Sequence, residues 1–478
     1  MRISIETVIF TTLAFALFLA VLLPLYWLLR SDRWRLPLLF AANFFFYGWW
    51  DWRFVALLLF VIVVAFAGGL LLTGQAVSST KAKVILWIAC GMQLAVLGYF
   101  KYADFFIANV RGVAESMGWQ PGWTALNLIL PVGISFYIFQ AISYLVSVYR
   151  QTVPCERSFL KLGVYLGFFP HLVAGPIIHA KTFLPQLAGK RVFDRDVFFE
   201  GCRKFAIGFF YKSVFADNIA PFVDRVFSDV AGQSPLAVAG GCLGFYGQIY
   251  FDFAGYSLMA IGVANLFGYF LPENFNHPYR ATSLIDFWRR WHISLSTWLR
   301  DYVYIPLGGN RGPRWMLYRN LMVTMFLGGL WHGADWNFVL WGTAHGTALC
   351  VNHVWVAGQK SAGLAGSRIF PVFSFAITQL FILLFWVPFR AETGADTLIV
   401  WGKLGELATT VWHASQPVPW LLLLLPLLAD TWLVGSRNFT VRFRVTSPFS
   451  LYAVLAASAI VGLLFMHVGF SPFIYFQF

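Results

Sequence analysis

Long apolar blocks separated by short basic connectors dominate the pattern of this chain. The first, residues 8–29, holds no charged side chain. It is long enough to cross a hydrocarbon core, which takes roughly 20 apolar residues. Comparable blocks occupy residues 54–73, 84–100, 126–149, 236–251, 255–271, 336–355, 370–388, 420–435 and 451–470. Shorter ones occupy 36–50, 159–178, 205–214 and 315–330. The pattern predicts an all-α polytopic membrane protein with about 11 transmembrane helices and a few re-entrant or interfacial pieces.

The first block ends at Arg30, Arg33 and Arg35 without a small-residue cleavage site, which predicts a retained span rather than a signal peptide. Basic connectors at 30–35, 81–83, 150–161 and 181–204 predict the cytoplasmic side, so residues 36–50 must cross. Residues 159–178 lie between two of these connectors and contain Pro170, His171, Gly175 and Pro176. Such residues break a helix, and a re-entrant element is expected there. No linker, low-complexity tract or repeat interrupts the pattern, so residues 1–478 read as one membrane domain.

Composition agrees with this reading. The chain is 59% hydrophobic and 12% charged, where a soluble domain is about 25% charged. The net charge of +13 follows from positive-inside bias. With no basic tail or basic–aromatic interleaving, no nucleic-acid partner is expected. Cys90, Cys155, Cys202, Cys242 and Cys350 lack C-x-x-C spacing and read as free thiols.

One stretch, residues 272–314, is too polar to span and is rich in Arg, His, Asn and Gly. Within it Leu284, Phe287, Trp288, Trp291, Leu295, Trp298, Leu299 and Tyr302 recur at three- and four-residue steps. That spacing predicts an amphipathic helix with an aromatic face, leaving Arg289, Arg290 and Arg300 for the other. Taken alone, it reads as a cytoplasmic interfacial anchor.

Ionisable groups at membrane depth are costly and are functional candidates by default. His332, in Gly328-Gly329-Leu330-Trp331-His332-Gly333, lies roughly 27 Å along a straight helix from Arg314. Its glycines permit close backbone approach or a helix break. His292 falls at the edge of the aromatic face and either points into the protein or rests in the interface. His171, His179, His345 and His353 are weaker candidates; none forms a H-x-x-x-H pair, carboxylates are dispersed, and no metal is expected. No G-x-S-x-G elbow is present, and Gly308-Gly309-Asn310-Arg311-Gly312 reads as a loop, with a phosphate cradle as the alternative. Asp252 and Glu273 are either structural or line a polar cavity. On residues alone two classes stay open. One is a transferase with a histidine base. The other is a proton-coupled transporter.

The stretch Asp286-Phe287-Trp288-Arg289-Arg290-Trp291-His292-Ile293-Ser294-Leu295-Ser296-Thr297-Trp298-Leu299-Arg300-Asp301-Tyr302 continues through Tyr304-Ile305-Pro306-Leu307-Gly308-Gly309-Asn310. Together with Gly329-Leu330-Trp331-His332-Gly333, it resembles the membrane-bound O-acyltransferase superfamily, and within it the proteins of bacterial alginate O-acetylation. Residues 43–50, Leu130-Pro131-Val132-Gly133-Ile134-Ser135-Phe136, 169–177, Asp252-Phe253-Ala254-Gly255-Tyr256-Ser257 and 473–478 extend the likeness over essentially the whole chain. The resemblance implies a funnel-like helical bundle with His332 as the central intramembrane histidine and His292 as the second active-site histidine. It implies an O-acyltransferase of the bacterial cell inner membrane with no bound cofactor, taking acetyl groups from a cytoplasmic donor, acetyl-CoA. Those groups would pass to a periplasmic acetyltransferase or acyl-carrier partner for an exported polysaccharide, alginate, with cellulose or peptidoglycan as the alternative acceptor. Trp288, Arg289, Arg290, Trp331 and Asn310, beside or near the histidines, become the candidates for donor or substrate binding. The basic cytoplasmic face would also attract a phosphate-bearing donor.

Overall fold

The computed structural model describes residues 10–361, 369–407, 460, 473 and 474. Among them all regular structure is helical. They group into two compact units, one built from the residues up to 205 with 259–272, the other from 206–258 with the described residues of 273–474.

In the first unit, α1 (Leu13–Leu28) starts where the Thr12 hydroxyl accepts from the Phe15 N–H, as an N-cap should. Leu13, Leu17, Val21, Leu25 and Leu28 are all exposed along it. Such a stripe would be costly against water and suits hydrocarbon. It is followed by α2 (Asp32–Asp51), α3 (Arg53–Leu72) and α4 (Thr80–Leu97), which runs through a π-helical turn at Gly98–Tyr102 into α5 (Ala103–Ser116). The next helix, α6 (Ile134–Tyr149), is buried along most of its length. Close packing of α3 on its neighbours uses Gly68, where a Cβ would lie 2.8 Å from Leu145 and 3.1 Å from Ala89.

Residues 159–178 break as expected. Helix α7 (Phe159–Gly167) stops, and α8 (Phe169–Leu172) restarts with Pro170 in its first turn. His171 is fully engaged there. The Gln140 amide N–H₂ donates to Nδ1 over 3.2 Å, so Nε2–H donates to the Tyr165 carbonyl at 3.1 Å. This is a structural histidine. The first unit also contains α9 (Ala180–Ala188), and α10 (Arg195–Phe210) contributes residues to both units.

The second unit contains α11 (Asp217–Phe227) and most of α12 (Pro235–Leu266). Here the sequence expectation of two blocks, 236–251 and 255–271, is corrected, since α12 is one continuous helix of 32 residues. Asp252 interrupts the apolar pattern without interrupting the helix because its charge is matched. Lys212 Nζ lies 2.8 Å from Asp252 Oδ1 and 2.6 Å from Asp217 Oδ1. The other oxygen of Asp252 accepts the Ile474 N–H at 2.7 Å. Asp252 is therefore structural.

Further along come α13 (Leu284–Arg290), α14 (Ile293–Leu299), α15 (Arg314–His332) and α16 (Trp336–Ser361). They are followed by α17 (Ile369–Phe385), α18 (Val387–Arg390) and α19 (Gly394–Gly405). Among the described residues, four helical segments are long and apolar enough to cross a bilayer: Arg53–Leu72, Thr80–Ser116, Pro235–Leu266 and Pro371–Arg390. Leu13–Leu28 and Ile134–Tyr149 are apolar but shorter. The expected spans at 420–435 and 451–470 lie outside the described residues, except for residue 460.

Helices α15 and α16 form an antiparallel hairpin whose backbones nearly touch. A Cβ on Gly342 would sit 2.4 Å from the Met325 carbonyl oxygen and 3.0 Å from Gly329 Cα. One on Gly329 would meet the Phe338 carbonyl oxygen at 2.3 Å. Small residues serve helix pairs in this way where lipid supplies no hydrophobic drive to associate. Replacing Gly342 by Leu should therefore cost at least the ~1–3 kcal/mol typical of overpacking, read as a lower thermal unfolding midpoint in detergent. Gly358→Ala, inside α16 at a position with nothing within 4 Å, should not lower the midpoint and should raise it slightly through helix propensity.

Candidate active site

His332 is the last residue of α15, and Gly333 leaves the helix with φ −159° and ψ 153°. That glycine is required because a Cβ there would fall 2.1 Å from the Phe338 ring. The His332 side chain is buried and meets aromatic rings at their edges. Centroid distances are 4.9 Å to Trp331, 5.0 Å to Trp341 and 5.0 Å to Phe389.

His292 is placed differently from the sequence expectation. The predicted helix over 284–302 is broken at Trp291–His292, dividing it into α13 and α14, and a π-helical turn follows at Arg300–Tyr304. His292 adopts φ 43° and ψ 54°, the left-handed region that a side chain enters at a cost. Asn274 holds it there. The Asn274 side-chain oxygen accepts from the Ser294 N–H at 3.2 Å and the Ser294 hydroxyl at 2.8 Å. Its backbone carbonyl accepts from Ile293 N–H at 2.9 Å.

The same side-chain oxygen lies 3.2 Å from His292 Nδ1. Because the Ser294 backbone N–H can only donate, this atom of Asn274 is the carbonyl oxygen, and Nδ1 must carry the proton. The lone pair of neutral His292 is therefore on Nε2. Complete burial lowers the pKa of His292 to about 3, because the charged form is desolvated. Its ring stands edge-on to Phe253 at 4.7 Å and to Trp331 at 5.7 Å. Trp331 therefore touches both histidines.

Trp341 extends the array on the other side of His332. Its ring centroid is 4.7 Å from that of His345, and Trp288 lies 5.3 Å from His345. The structure thus brings together His292, Trp331, His332 and Trp288 of the sequence candidates. Arg289 is exposed, and Arg290 is engaged with Asp286 at 2.9 Å. Asn310 is exposed in a loop pinned to α15, where Asn320 donates to the Gly309 carbonyl at 2.8 Å and Arg319 to that of Leu307 at 3.0 Å.

Asn274 and Trp341 are not among the sequence candidates, and His345 is a weaker one. Trp341 and His345 share a helix face at four-residue spacing, a signal that was available. The contact of Asn274 with His292 spans 18 residues that include α13 and leaves no periodic trace. Chemically, the array offers three buried imidazoles, of His292, His332 and His345, in an aromatic surround, suited to accepting a proton from a hydroxyl and holding an acyl group away from water.

A family model described as the membrane-bound O-acyltransferase family matches residues 156–387. A probable alginate O-acetylase of Azotobacter vinelandii is 41% identical over 380 residues, covering 79% of this chain and 73% of that protein. A peptidoglycan O-acetyltransferase of Helicobacter pylori is 36% identical over 408 residues, covering 79% and 75%. A teichoic acid D-alanyltransferase of Bacillus subtilis is 29% identical over 307 residues, covering 59% and 76%.

Replacing Asn274 by Ala should release the left-handed turn and leave the Ser294 N–H unsatisfied. Such orphaned groups cost about 1–3 kcal/mol each. A clearly lower unfolding midpoint in detergent is expected, and an unchanged midpoint would show that Asn274 does not hold His292.

Proposed function

Because this chain belongs to the membrane-bound O-acyltransferase family, it is an O-acyltransferase, and we propose that it relays acetyl groups from cytoplasmic acetyl-CoA through the bacterial inner membrane for O-acetylation of exported alginate. The observation that carries this reading is the pair of buried histidines, His332 and His292, both in contact with the Trp331 ring. The 41% identical relative named for alginate O-acetylation supports the acceptor.

In this reading, His332 acts as general base toward an acceptor hydroxyl. The acceptor oxygen bonds the acyl carbon, the carbon–sulfur bond breaks, and the proton passes by way of imidazole to the departing thiolate. His292, neutral with its lone pair on Nε2, is the second active-site histidine. Trp288 and Trp331 wall the reacting end of the donor. Arg289, Arg290 and Asn310 serve its phosphate-bearing end at the cytoplasmic face, Arg289 and Asn310 from exposed positions. The attacking hydroxyl belongs to the periplasmic acetyltransferase or acyl carrier, which then delivers the acetyl group to the polymer.

His332→Ala should reduce acetyl esters on exported alginate by roughly 10²–10⁴-fold, the usual effect of losing a general base, while the protein still accumulates in the membrane. His292→Ala should also impair acetylation. Normal alginate esters in a well-expressed His332→Ala strain would rule out this role, and loss of peptidoglycan esters instead would reassign the acceptor.

Transfer across the membrane has its own test. In proteoliposomes supplied outside with acetyl-labelled acetyl-CoA, with the basic loops facing outward, donor turnover should depend on His332 and rise when the periplasmic partner is enclosed. Complete acetylation of polymer by this chain alone would overturn the need for a partner.

A further inference from the structure

Trp288, Trp341 and His345 meet one another beside His332. Their ring centroids lie 5.7 Å apart for Trp288–Trp341, 5.3 Å for Trp288–His345 and 4.7 Å for Trp341–His345. Trp341 and His345 are essentially inaccessible, at 0% and 1% exposure. The indole Nε1 atoms of Trp288 and Trp341 and the Nδ1 of His345 are all buried, and none has a hydrogen-bond partner among the described residues.

One such orphan would be unremarkable in a large protein. Three in mutual contact are not, because each costs about 1–3 kcal/mol and phenylalanine or leucine would fill the same space without that cost. An indole N–H only donates, so the group that satisfies the two tryptophans must be an acceptor. The surround is aromatic, with Phe381 at 5.2 Å from His345, and an ion desolvated there would be costly. A small neutral oxygen fits this chemistry. Trp341 also stands edge-on to His332, at 5.0 Å, so an acceptor held by its N–H is next to the proposed base.

We propose that Trp288, Trp341 and His345 form the binding site for the acyl carbonyl oxygen of the donor thioester. The proposal rests on the acetyl-CoA reading above. The indole N–H groups donate to the carbonyl oxygen, and His345 in its Nδ1–H form adds a third donor. When the acceptor oxygen attacks, the carbonyl π electrons move onto this oxygen, and the N–H groups stabilise the negative charge. The pair returns as the carbon–sulfur bond breaks. Preorganised donors aimed at developing charge act most strongly where water is excluded.

The test compares two donor analogues on the purified full-length chain in detergent, by competition against acetyl-CoA turnover. In one, methylene replaces the thioester sulfur, giving a ketone that keeps the carbonyl oxygen. The other, S-ethyl-CoA, has no oxygen on that carbon. Wild type should bind the ketone about tenfold more tightly, as one or two hydrogen bonds would give. Trp341→Phe keeps an aromatic ring and removes the N–H; it should erase this preference while binding S-ethyl-CoA as wild type does. Trp288→Phe repeats the comparison if Trp341→Phe does not yield folded protein.

A preference that survives both substitutions would overturn the site. So would equal weakening of both analogues, which marks a packing role. If wild type binds neither analogue while turning over a different acyl donor, the acetyl-CoA reading falls and this site falls with it.

Discussion

The near-contact of two backbones at Gly329 and Gly342 is the constraint on which the candidate site depends. His332 follows Gly329 by three residues, Trp341 precedes Gly342 by one, and His345 follows it by three. Whatever sets the register of the two glycines therefore sets which aromatic ring faces His332. In hydrocarbon, apolar side chains gain little by leaving lipid, so helices associate through close packing and polar contacts. A hairpin held this way tolerates no added atom at its seam, and the seam in turn places the imidazole.

This arrangement explains why α15 and α16 are not among the helices apolar enough to cross on composition alone. They carry Asn320, His332, Asn337 and His345, all buried within the protein. The residues facing the histidines are aromatic, which supplies bulk and edges of positive quadrupole without adding charge. Polar groups in such surroundings interact strongly because little solvent screens them. The few that are present therefore carry most of the chemistry.

What was legible in the sequence was local. The glycines flanking His332 announced a helix end, and the Pro and Gly residues of 159–178 announced a break. Periodicity failed at His292. The aromatic spacing around it was regular, but the turn is imposed by Asn274, a residue outside the periodic stretch. It failed again at Asp252, whose partner Lys212 lies 40 positions earlier, so a hydropathy pattern registers a boundary that the folded helix does not have. Of the other candidates, Arg289 and Asn310 are exposed and Arg290 is paired with Asp286, so packing singles out none of them. No pattern within the chain distinguishes them from ordinary basic connectors.

The bond between Asp252 and the Ile474 N–H joins residues 222 positions apart. During synthesis, α12 therefore exists before its partner does. At translation speeds of about 5–20 residues per second, the interval is roughly 10–45 s. For that time the carboxylate cannot have its final set of contacts, and Phe473 cannot yet pack on Tyr256 or on Phe253, the ring that abuts His292. Biogenesis thus has a built-in order, in which the neighbourhood of one site histidine is completed only when a distant, late-made part of the polypeptide arrives to latch it.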